Sequence, residues 1–218
     1  MKKEVFYNEN KSPNIPDQLA ARYFSDILTE EDPELELCSI TDSSFESESL
    51  PRARLSKMII RNCRFSHTVF KDMDIMDVQF ENCDFSNVDL SHSSIHRVLF
   101  RSCKLMGVNF TESRFGHVSF EQSQLNLAAF GESKCEKTAF QDSSLVNTDF
   151  YDCLFKNVAF QSCNITDANF EQTSLKGIDI STSTFDSLTI SPDNLFGCKV
   201  SSHQALQFAA LLGLEIVD

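Results

Sequence analysis

The chain has no tryptophan, and its 218 residues include only 6 glycines and 5 prolines. So little glycine leaves little room for a phosphate-wrapping loop, and neither G-x-G-x-x-G nor G-x-x-x-x-G-K occurs. Positive charge is scarce as well, with 19 Lys and Arg against 32 Asp and Glu and a formal net charge of −13. That balance argues against direct nucleic acid binding through phosphates and against a polybasic hold on an anionic membrane. No apolar run approaches the roughly 18 residues that a membrane span requires. The opening MKKEVFYNENKS lacks the apolar stretch of a signal peptide, so a cytoplasmic location is expected. C-x-x-C is missing too, and zinc sites need such close-set ligands.

What the chain has in quantity is phenylalanine, 20 residues, and 16 of them fall in one column. Reading every fifth residue from Ile40 to Val200 gives 33 consecutive apolar positions, with Cys135 the sole member that is neither aliphatic nor Phe. At this composition such a run has a chance of about 10⁻¹³. The column two residues earlier is small: Cys63, Thr68, Val78, Cys83, Val88, Ser93, Val98, Cys103 and so on. A period of five matches neither a helix nor an ordinary strand. It requires a chain that turns a corner every five residues with one large and one small side chain inside.

Within this pattern Val88-Asp89-Leu90 and Ala168-Asn169-Phe170 follow A-(D/N)-L-x-x. Over residues 38–200 the chain therefore resembles the pentapeptide-repeat family. The resemblance implies an all-β solenoid, a right-handed quadrilateral β-helix with four pentapeptides per coil and about eight coils. A second regularity agrees: at a spacing of one coil, Phe80, Phe100, Phe120, Phe140 and Phe160 share one face and form the expected structural core. Stacked coils rise by about 4.8 Å, which gives a rod near 40 Å long.

Residues 1–37 fall outside the repeat and are expected to form an N-terminal helical cap. A helix over Pro16–Leu28 would carry the stripe Ala20, Tyr23, Phe24 and Ile27. Residues 201–218 read as a C-terminal capping helix and dimerisation tail: Ser201-Ser202-His203-Gln204 has capping-box spacing, and Gly213 suits the stop. One stripe of that helix, Ala205, Phe208, Ala209 and Leu212, can close the last coil. Leu206, Ala210, Leu211, Leu214 and Ile216 are then left over, and a helix apolar on both sides is usually covered on both. A homodimer through the C-terminus is the expectation, with a tail folded back over the remainder as the alternative.

Seven of the eight cysteines occupy the small column and Cys135 the large one, so packing accounts for all of them. His96 and His117 fall on one face a coil apart, but no further ligand completes a metal set, and neither metal nor cofactor is expected. A rod filled with Phe offers no concave pocket for a nucleophile and its base, so no catalytic residues are assigned and the chain is read as a non-enzyme.

Charge is segregated by face. Asp72, Asp89, Glu112, Glu132, Asp149, Asp152 and Glu171 line one side, opposed by Lys71. Arg97, Arg114, Lys134, Lys137, Lys156 and Lys176 line the adjoining side against Glu136. An acidic rod of this kind is similar to the Qnr-type, topoisomerase-protecting branch of the pentapeptide-repeat family. That similarity implies a DNA-mimicking binder or modulator of DNA gyrase and topoisomerase IV, with fluoroquinolone protection, and makes the acidic side the partner-binding site. The alternative is a general pentapeptide-repeat scaffold whose flat faces bind some other protein.

Overall fold

A computed structural model describes residues 10–211 and 213–215, with only the backbone of Leu211. Short strands β1 (Ala20–Ala21), β2 (Glu34–Glu36) and β3 (Cys38–Thr41) lead into six eight-residue strands: β4 (Arg54–Arg61), β5 (Asp74–Glu81), β6 (Ser94–Arg101), β7 (Arg114–Glu121), β8 (Lys134–Gln141) and β9 (Leu154–Gln161). All of them pair in parallel, and β4 to β9 stack strictly one coil apart, so that Ile60, Phe80, Phe100, Phe120, Phe140 and Phe160 face one another in register. The other two sides of each coil are joined by single bridges such as Arg64 to Asp84 and Val69 to Asp89. The result is a parallel β-solenoid of about 8 turns.

The corners explain the five-residue period. Two residues after each large interior side chain the backbone enters the left-handed region, as at Asn62 (φ 53°), Asp77 (φ 58°), Asn87 (φ 56°), His117 (φ 57°) and Asn157 (φ 55°). Asp, Asn and His, the non-glycine residues that tolerate this conformation best, hold many of these corners, but Arg52, Lys57, Glu112, Gln122 and Leu127 hold others, so the stacked ladder imposes the conformation on unlike residues. Each long strand thus bends in its middle and serves two faces of the coil.

Phe80, Phe100, Phe120, Phe140 and Phe160 are stacked with centroids 5.0–5.1 Å apart and planes within 10° of parallel. A second stack, Phe110, Phe130, Phe150 and Phe170, stands across the interior at the same pitch. The two stacks meet edge to face, Phe120 against Phe130 at 6.0 Å and 88°. Burial of such rings supplies the main stabilising term, and both ring geometries are favourable ones.

The small column does more than fill space. Ser113 Oγ accepts from the Ser93 amide one coil earlier and donates to the Leu90 carbonyl. Ser123 does the same between the Cys103 amide and the Phe100 carbonyl. Cysteine takes the carbonyl half of this role, as Cys83 Sγ does toward Ile60 O. Ser, Thr and Cys interchange along the column because each is compact and can donate to a carbonyl.

Three expectations are corrected. Pro16–Leu28 is not a helix: the Ala20 and Arg22 amides donate to Leu37 and Ser39 carbonyls, and this pairing of β1 with β3 overrides local helix preference. The chain then tightens into a 3₁₀ helix over Phe24–Thr29; Phe24 and Ile27 are buried, whereas Ala20 and Tyr23 are exposed. Phe24 closes the first coil against Phe65 at 4.8 Å and Phe45 at 5.0 Å. At the other end, β10 (Ala168–Asn169) still pairs with β11 (Leu188–Thr189), but the next side of the coil is a helical turn, α1 (Pro192–Leu195). Pro192 cannot donate to a strand ladder and is well placed at a helix start.

Helix α2 (Ser202–Leu211) then covers the open end, with the Ser201–Gln204 capping box formed at 2.8 and 3.2 Å. Its covering side is not Ala205, which is exposed, but Gln204 and Phe208. The Gln204 amide donates to the Ile180 and Ser183 carbonyls, and Gln207 donates to Phe185 O, because a terminal coil leaves carbonyls with no next coil to receive.

Candidate interaction faces

Asp72, Glu112, Glu132 and Asp152 all occupy one corner of the solenoid, in left-handed backbone at φ 49–59°, and all four are exposed. They stand above one another at multiples of the roughly 4.8 Å coil rise, with His92 filling the same corner between Asp72 and Glu112. His92 Nδ1 lies 3.5 Å from the Glu112 carboxylate. Asp72, Glu132 and Asp152 form no ion pair among the described residues.

Asp89, Asp149 and Glu171 flank this edge; the carboxylates of Asp89 and Asp149 are more committed to the fold, whereas Glu171 engages it through its amide, which donates to Asn169 Oδ1. Asp89 accepts from the Ser91 amide and hydroxyl and from Asn109 Nδ2, and pairs with Lys71 at 3.3 Å. Burial raises its carboxyl, but the Ser91 bonds and the Lys71 ammonium outweigh that and hold it below the usual range. Asp149 accepts from the Tyr151 amide and Asn169 Nδ2. Each such carboxylate closes a local turn two residues on.

On the adjoining side Arg114, Lys134, Lys137 and Lys176 carry no ion pair among the described residues, whereas Lys156 is bound to Glu136 at 2.7 Å. Arg97 departs from the expected basic face. Its guanidinium grips Asp77 with two bonds of 2.6 Å, and the Asp77 side chain is only 3% exposed, so this charge is neutralised a coil away. A further charged column was missed altogether. Arg61, Glu81, Arg101 and Glu121 alternate up one edge, with contacts of 2.5, 3.5 and 3.0 Å. Sign alternation at the one-coil spacing is the signal that would have found it.

The His96 and His117 rings meet edge on at 5.6 Å, and no group of three or more His, Cys, Asp or Glu among the described residues could hold a metal ion. All eight cysteines are free; burial pushes the Cys153 thiol up to about 12 and Cys163 to about 11, so both stay protonated at neutral pH. On α2, Leu206 and Ala210 are exposed and Leu214, just beyond it, is 60% exposed. The Leu211 side chain and Ile216 lie outside the described residues. No described helix is long and apolar enough to cross a membrane.

A five-residue corner-turning coil with one large and one small interior residue defines the class. Family models agree: "Pentapeptide repeats (8 copies)" matches residues 49–91 and 133–172, and "Pentapeptide repeat region" matches residues 73–150. The chain belongs to the pentapeptide-repeat family. Among solved structures it is similar to full-length QnrB1, a plasmid-mediated fluoroquinolone resistance protein, at 18% identity over 89% of this chain and 95% of that one, TM-score 0.42. It is also similar to HetL, a pentapeptide-repeat protein involved in heterocyst differentiation regulation in the cyanobacterium Nostoc, at 11% identity over 82% and 94% of the two chains, TM-score 0.35. No curated protein matches the sequence.

Proposed function

We propose that the chain is a non-enzymatic scaffold that docks onto a basic protein surface through its acidic edge, as a C-terminal homodimer in the cytoplasm. The column of exposed carboxylates at Asp72, Glu112, Glu132 and Asp152 carries this reading. An interior filled by stacked Phe leaves no cleft through the rod, which supports binding rather than catalysis. A negative edge steers a rod toward a positive cleft. The magnitude favours steering over full DNA mimicry: one charge per coil of about 4.8 Å is roughly a third of the density of duplex DNA.

A bacterial type II topoisomerase is the partner to test first, since QnrB1 is a fluoroquinolone resistance protein of the same fold family. Gyrase or topoisomerase IV supercoiling activity is titrated with the protein, with and without a fluoroquinolone. Inhibition or rescue that disappears when Asp72, Glu112, Glu132 and Asp152 become Lys supports the acidic edge. An effect that survives the reversal rejects that edge, and no effect on either enzyme rejects the topoisomerase. For the dimer, Leu206→Glu with Leu214→Glu should halve the mass measured by light scattering; a native chain that is already monomeric would reject it.

A further inference from the structure

Residues 10–14 do not hang free of the rod. They run along the face that carries Phe120, against the direction in which the coils stack, and touch it through long-range hydrogen bonds. Asn10 Nδ2 donates to Ser119 Oγ at 3.2 Å, the Lys11 amide donates to His117 Nδ1 at 3.1 Å, and the Asn14 amide donates to Asp77 Oδ1 at 2.8 Å. Under this segment, Leu99 points outward from β6 yet is only 9% exposed. It lines a cavity of about 120 Å³ together with Lys11, Pro13, Arg101, His117 and Glu121.

Of these three anchors, the two on ionisable side chains differ in chemistry. Asp77 is held in its charged form: burial raises its carboxyl, but Arg97 and the Asn14 amide outweigh that and keep it below the usual range. His117 can accept from the Lys11 amide only while Nδ1 carries a lone pair, so the bond exists only with the neutral ring. We infer that residues 10–14 form a strap latched by neutral His117, and that protonation of His117 opens the latch at Lys11.

The groups facing His117 push the same way. Lys11 on the strap, Arg97 and His96 from the coil before, and Lys137 from the coil after all disfavour a positive ring. Glu136 and Glu121 nearby are the groups that would favour it; Glu136 is bound to Lys156 and Glu121 to Arg101. Burial first, then Lys137, His96, Lys11 and Arg97, hold the imidazole below its ordinary value. A group whose value is depressed in the closed state favours closure above its open-state value, about 6.5, and loses that contribution as pH falls through the lower, closed-state value. Acidification therefore breaks the Lys11 bond first, while the Asn14 anchor on Asp77 and the Asn10 bond to Ser119, which has no titrating group, hold.

The test is amide hydrogen exchange by NMR on the ¹⁵N-labelled full chain, expressed as protection factors at pH 7.5 and 5.0. Lys11 should lose protection on acidification, because the closed state disfavours the protonated ring. The Asn14 and Phe120 amides should not change. In His117→Asn the side-chain oxygen remains an acceptor that does not titrate, and Asn157 already occupies the equivalent corner at φ 55°, so Lys11 should stay protected at both pH values. A native Lys11 whose protection is the same at both pH values overturns the latch, and so does an equal acid loss in native and variant.

Discussion

Replacing Phe120 by alanine tests the core at its most crowded point. Phe120 has no exposed surface and lies between Phe100 and Phe140, each 5.0 Å away and nearly parallel. It also meets Phe110 at 6.2 Å and Phe130 at 6.0 Å edge on. Loss of a buried Phe to Ala costs about 3–5 kcal/mol, a total that already contains the lost ring pairs, and a ring with four such partners belongs at its upper end. A rod with coils locked above and below cannot collapse into the void, so the cost should fall near 4–5 kcal/mol. Phe155 supplies the control, since it sits in the same column but is only half-buried near one face. Phe155→Ala should cost visibly less than Phe120→Ala in urea melts monitored by circular dichroism. Because coils touch only their neighbours, the melt of the variant should also broaden as the two halves of the rod uncouple. A loss below 1 kcal/mol at Phe120, or equal losses at both positions, would refute the stacked-core account.

Gln204→Ala leaves the Ile180 and Ser183 carbonyls without their donor and should cost about 1–3 kcal/mol, read as faster amide exchange confined to the last coil. Exchange that stays unchanged there would show that water replaces the cap. Asp77→Asn removes a charged partner from Arg97 and should cost about 2 kcal/mol at pH 7. The native Asp77 contribution is present above about pH 4 and fades as pH falls through its depressed value, so native and variant stabilities should converge in acid. Gly116→Ala would press a methyl group against His96 Nδ1 and should cost about 1–3 kcal/mol. Adding His96→Ala should restore most of it in thermal melts, and failure to do so would place the strain elsewhere.

The repeat was plain in the sequence because one column of large residues every five positions can arise in few other ways. Its corners were not, since left-handed backbone is held by residues as different as Asn62, His67 and Glu112, which share no single pattern. The N-terminal misreading has a similar origin: Ala20 and Ala21 favour a helix locally, but their backbone is captured by Cys38 and Ser39, a contact that no local window contains. Gln204 was legible as half of a capping box, while its amide also serves carbonyls 21 and 24 residues earlier. On the charged faces, reading along the chain placed Arg97 among the basic residues. Reading up the coil places it on Asp77.

The alternating edge of Arg61, Glu81, Arg101 and Glu121 has a bearing on how such a rod can change length. Deleting one coil between Arg61 and Glu121 would keep large apolar residues on large apolar ones and small residues on small ones. It would also set like charges against each other, Arg61 on Arg101 or Glu81 on Glu121. Removing two coils restores opposite signs. The interior thus tolerates gain or loss in single coils, whereas this edge favours pairs, so that part of the rod has a preferred parity.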